Sequence, residues 1–160
     1  VADNGESQYR RGLYTHWQRT FLHPMLKAFD APSREECTAL RSRSNTPLQA
    51  LVLLNDPSFI EAARVFAERI VKEGGESPDA KIRCAYKTAV SREPGNEIQA
   101  TIKQVFTEHL SDYRADEHAA TELLQHGNAP LDSDLDTVEL AAWTSVARVL
   151  LNLHETITRY

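Results

Sequence analysis

A chain of 160 residues and 18.0 kDa can bury roughly 70% of its unfolded surface, enough for a real core. With 41% hydrophobic and 26% charged residues, it is neither collagen, a disordered tail nor a disulfide-packed miniprotein, and no apolar run approaches the roughly 20 residues of a membrane helix. The net charge of −5 and pI near 5.7 argue against a general nucleic-acid binder.

Residues 1–8 read as a disordered or appended N-terminus, and 9–160 as one helical domain. From Tyr9 to Arg19, Tyr9, Leu13, Tyr14 and Trp17 share one helical face. Residues 20–32, with Pro24 and Pro32, read as a winding connection. Ser33 and Glu36 have capping-box spacing, which suggests a short helix there. Thr46-Pro47, Asp56-Pro57 and Ser77-Pro78 each place a capping side chain before a proline, the pattern of a helix start. The LQALVLL segment after the first of these is apolar on most sides and should be buried. The next helix should bury Phe59, Ala63, Phe66, Ala67 and Ile70, with Glu68 and Lys72 paired on its wet side, and end at Gly74-Gly75. The helix from Pro78 buries Ile82, Ala85, Tyr86 and Ala89.

Pro94-Gly95-Asn96 is a turn, after which Asn96 and Gln99 form a capping box. Ile98, Ile102, Val105, Phe106, Leu110 and Tyr113 then make the clearest apolar stripe in the chain. His109 lies on that stripe and reads as a hydrogen-bonded core residue. A shorter helix carries Ala119 to Leu124 and stops at Gly127-Asn128. The last long helix starts near Asp134 or Asp136. Val138, Leu140, Trp143, Val146, Leu150 and their neighbours nearly encircle it, which marks it as central. The expected fold is all-α, a compact orthogonal or irregular bundle of six to eight helices around this C-terminal element.

Charge is unevenly spread. Residues 8–44 hold seven Arg/Lys against three Asp/Glu, and residues 108–139 hold nine Asp/Glu against Arg114 alone. This is either a pair of solvated faces or a device that orients the domain on a partner. Cys37 and Cys84 match no zinc or haem-attachment spacing and read as separate buried thiols. The chain begins with Val1 and shows no signal-peptide core, so it reads as a mature protein or an excised domain.

The segments RRGLYTHWQRT (10–20), FDAPSREECTALRSRSNTPLQALVLLNDPSFIEAARVFAERI (29–70) and ELAAWTSVARVLLNLHETITR (139–159) together resemble the planctomycete domain-of-unknown-function family 1553. The resemblance runs from about Tyr9 to the C-terminus. It implies a larger parent protein, with this chain at its C-terminal end and further domains upstream, often including a c-type cytochrome domain. It also implies a periplasmic or exported location. The family carries no established activity, so no catalytic role is transferred.

Three clusters are candidates for function. Residues 29–56 gather Asp30, Arg34, Glu35, Arg41, Arg43, Asn45, Gln49, Asn55 and Asp56. Arg34, Arg41, Arg43 and Asn45 could hold an anion through paired N–H donors. In the setting the resemblance implies, that anion would be an acidic, sulfated polysaccharide. The competing reading is an Arg/Asp network that pins an irregular loop. Tyr14 and Trp17, beside His16 and Arg19, are either core or anchors for a partner domain. Asp132-x-Asp134-x-Asp136 opens like a calcium loop. Its sixth and twelfth positions are Thr137 and Trp143, so it fails as an EF-hand, and helix capping explains the acids. No histidine pair makes a metal site. Cys37 follows two acids that would raise its pKa, a poor setting for a nucleophile.

The leading reading is a non-catalytic interaction or structural module without cofactor or metal, docking on upstream domains of its parent. The alternative is part of an enzyme or binding site for acidic polysaccharide. A third reading lets the chain shape contact with a haem domain. Nucleic acid and membrane insertion are not expected.

Overall fold

The computed structural model describes Tyr9, residues 12–14, 21–33, 35, 37–40, 42, 44 and 46–157. Among these residues the chain is all-α, with eight helices and no strand. Its internal contacts divide it into two units, residues 1–52 and 53–160.

The first unit contains a 3-10 turn at Gly12–Tyr14, helix α1 (Pro24–Ala28) and most of α2 (Pro47–Asn55). The helix expected over Tyr9–Arg19 falls largely outside the described residues. Among the described residues no helix follows Ser33. Instead the Glu35 N–H donates to Ser33 Oγ at 3.4 Å, a local turn bond that competes with helix formation. Helix α2 starts at Pro47 as expected. Thr46 and Gln49 cap it reciprocally: the Gln49 N–H donates to Thr46 Oγ1 at 3.3 Å, and Gln49 Oε1 accepts from the Thr46 N–H at 3.2 Å.

The second unit holds the core. Helix α3 (Pro57–Glu73) is capped by Asp56, which accepts from the Ser58 N–H at 2.9 Å, and α4 (Pro78–Val90) by Ser77, which accepts from the Ala80 N–H at 3.2 Å. Helix α5 spans Asn96–Ala115 and α6 Glu117–Leu124; α7 spans Thr137–Leu151 and α8 His154–Ile157. Asp136 caps α7, taking the Glu139 N–H at 2.6 Å. The expected Asn96 cap does not occur. Gly95 is the cap residue, and Gln99 donates to Asp79 Oδ1 at 3.3 Å. A carboxylate on α4 wins that amide from the local box.

Helix α7 is central, as its apolar circumference predicts. It packs on α3, α5 and α6 and buries Leu140 through Ala147 and Leu150. Trp143 is fully buried, stacked on Phe106 with ring centroids 4.4 Å apart. Ala63, Ala67 and Ile70 of α3 and Ile82, Ala85 and Tyr86 of α4 complete the cluster. Phe59 and Phe66 are only half-buried, because the buried face of α3 is rotated to include Glu61 and Arg64. Glu68 pairs with Arg64 at 2.9 Å and Lys72 with Asp132, so the Glu68–Lys72 pair read from spacing is replaced by two others.

Candidate functional site

In the first unit, Asp30 is the hub of a polar network. Its backbone sits in the left-handed region at φ 57°, a conformation Asp tolerates better than most residues. Its carboxylate accepts from the Ser44 N–H at 2.7 Å, from Ser44 Oγ at 2.7–2.8 Å and from Gln49 Nε2 at 3.2 Å. Gln49 Nε2 also donates to Ser44 Oγ at 3.1 Å. The carboxylate thus ties residue 44 of an irregular segment to the first turn of α2, leaving Gln49 buried. Asp56 is committed to capping α3. Both carboxylates therefore serve local structure, through Ser44, Gln49 and the Ser58 N–H; the arginines of the loop-pinning reading lie outside the described residues. Sequence reasoning placed Gln49 in this cluster but missed its double role; the T-x-x-Q spacing at 46–49 was the available signal.

Arg34, Arg41, Arg43 and Asn45, the proposed anion ligands, lie outside the described residues, as do His16, Trp17 and Arg19. Tyr14 is described and 63% exposed. Tyr9, Phe21, Leu40, Leu48 and Leu51 are all exposed, and Gln49 is the one buried residue among those described in 1–52. Helix α2 departs most from expectation. LQALVLL was read as buried: Leu53 is, but Leu48 and Leu51 are 59% and 57% exposed.

The second unit carries a different polar arrangement. Arg64 is buried and Nη2 donates to Ala129 O at 2.7 Å, while Nη1 reaches Pro130 O at 3.4 Å and Glu68. Buried Glu61 accepts the Ala129 N–H at 2.6 Å. These two α3 side chains anchor the 127–130 loop. Gly127 fits there because its φ is +94° and an added Cβ would lie 2.5 Å from the Glu61 carboxyl. Periodicity gave no warning, since Glu and Arg ordinarily mark a wet face.

The three acids at 132–136 divide their work. Asp132 accepts the Asp134 N–H at 3.0 Å and pairs with Lys72, and Asp136 caps α7. Among the described residues, no group of three or more His, Cys, Asp or Glu could hold a metal. His109 is half-exposed over the Tyr113 ring, with centroids 6.1 Å apart, rather than in the core. Cys37 is exposed and Cys84 half-buried, both free thiols, so the buried setting read for them does not hold.

Lys72, and then the Asp134 N–H, hold the Asp132 carboxyl below its ordinary pKa. A carboxyl with a lowered folded-state pKa stabilises the fold above its unfolded value of about 4 and loses that contribution as pH falls through the lowered one. Lys72→Met should therefore lower the melting temperature at pH 6, and the difference should shrink steadily below about pH 4. Thermal melts from pH 7 to pH 2 measure this; a constant difference would show that the pair contributes nothing electrostatic.

Among the described residues the structure defines an all-α chain with a well-packed C-terminal core and an N-terminal unit in which Gln49 alone is buried, with Asp30, Asp56, Glu61 and Arg64 engaged in caps and loop anchors. A family model described as PSD1, protein of unknown function (DUF1553), matches residues 1–106, and the chain belongs to that family. The match includes the 29–70 segment; the 139–159 segment, also used in reading the resemblance, lies beyond it. No curated protein and no solved structure matches the chain.

Proposed function

We propose that this chain is a non-catalytic interaction module of a larger exported planctomycete protein. It docks, in the periplasm or outside the cell, on upstream domains of the same polypeptide, a c-type cytochrome domain among them. The supporting observation is α2. A helix apolar on most sides suits burial from more than one direction, yet Leu48 and Leu51 face solvent. Tyr14, Phe21 and Leu40 are exposed in the same unit. Exposed leucines together with exposed aromatics are the side-chain types of an interface core. Tyr14, with Trp17 on the same predicted helix face, is the proposed aromatic anchor.

Covering a leucine side chain is worth about 2 kcal/mol. The double variant Leu48→Ala/Leu51→Ala should weaken docking to the rest of the parent protein at least about tenfold. The stability of the isolated chain should change by only about 0.5 kcal/mol per site, as for other surface positions. Binding measured beside urea denaturation checks both. A large loss of stability with unchanged docking would make α2 a core element and remove the basis of the proposal.

A further inference from the structure

The second unit carries another apolar concavity, made of different residues. It is a groove of about 290 Å³ between α5 and the end of α7, lined by Ile98, Ile102 and Val105 on one side and Val149 and Leu150 on the other. Ile98 and Val149 remain exposed at its edges. Its polar lining is Thr101 and Glu97. The Thr101 hydroxyl donates to Glu97 O at 3.0 Å. Among the described residues the Glu97 carboxylate forms no ion pair and no cation lines the groove.

From Ile98 to Val105 the α5 wall runs about 11 Å, two helical turns. Two packed helices with an aliphatic trough of this length offer a third helix its ridge position. We propose that this groove receives a helix of the parent protein with an aliphatic row at i, i+3 and i+7 and a Lys or Arg one turn beyond, facing Glu97. The row replaces water over Ile98 and Val149, and the cation supplies the charge that the groove lacks. The inference rests on the interaction-module reading but uses none of the α2 surface.

The test uses the full chain and two labelled, alanine-based 15-residue helical peptides. Each has leucines at i, i+3 and i+7; one carries Lys and the other Glu one turn beyond. Fluorescence anisotropy should show saturable binding of the Lys peptide, about threefold to fivefold tighter than the Glu peptide. Glu97→Gln should erase that preference while retaining binding. Val149→Asp, at an exposed position, should abolish both without changing the circular dichroism. No saturable binding, or a preference that survives Glu97→Gln, would overturn the proposal. Saturable peptide binding, beside docking of the parent protein that Leu48→Ala/Leu51→Ala leaves unchanged, would sink the α2 reading and leave this one standing.

Discussion

Replacing Trp143 with alanine should cost about 3–5 kcal/mol, the largest effect of any single truncation in the chain. The indole is fully buried on α7 and stacks on Phe106 of α5. Its Nε1–H donates to Glu139 Oε1 at 3.2 Å, an oxygen that also receives Lys81 Nζ at 2.7 Å. Truncation therefore opens a large cavity at the helix on which α3, α4, α5 and α6 pack, and it loosens the carboxylate that links α7 to α4. Against a total stability of about 5–15 kcal/mol, such a loss leaves the fold marginal. Urea denaturation followed by circular dichroism should show the midpoint falling sharply with little change in slope. A cost below about 1 kcal/mol would mean the site collapses freely and α7 is not the centre of packing.

Arg64→Met should cost about 3 kcal/mol. The substitution keeps an apolar stem of similar length but removes the donors that satisfy Ala129 O and Pro130 O and the partner of Glu68. Two carbonyls and one carboxylate are then left in a region built around them, and unmet buried groups cost more than a formed bond gains. Glu68→Gln in the same background should recover part of the loss, because it removes the unpaired charge. Limited proteolysis should find the 127–130 loop cut faster in Arg64→Met than in the parent sequence. Unchanged stability and cleavage would show that the loop is held by something other than Arg64.

What the sequence reveals and what it hides divide along the range of the interactions. The caps at Thr46, Asp56, Ser77 and Asp136 were legible because cap and recipient lie within three residues. The central place of α7 was legible because no wet face is available to a helix with that pattern. Gln99 was misread because Asp79, twenty residues earlier, competes for its amide. The Glu68–Lys72 pair was misread because Arg64 and Asp132 reach the same groups from elsewhere in the fold. Glu61 and Arg64 could not be found by pattern at all, since their burial depends on a loop 65–68 residues away. Leu48 and Leu51 invert the usual lesson: apolarity predicted burial, and the chain by itself does not provide it. For the candidate surface, the sequence offered Tyr14 but not these two leucines. The feature that separates a core helix from a docking helix is the presence of a neighbour, which no local pattern encodes.

The central claim is that the exposed apolar side chains of the N-terminal unit, Leu48 and Leu51 first among them, form one half of an interface. Isothermal titration of this chain into the remainder of its parent protein, produced separately, tests that claim most directly. The account predicts binding at micromolar Kd or tighter with a negative heat-capacity change, the mark of apolar burial, weakened by Leu48→Ala/Leu51→Ala. Heats indistinguishable from dilution would contradict it and turn attention to acidic glycans and the arginines at positions 34, 41 and 43.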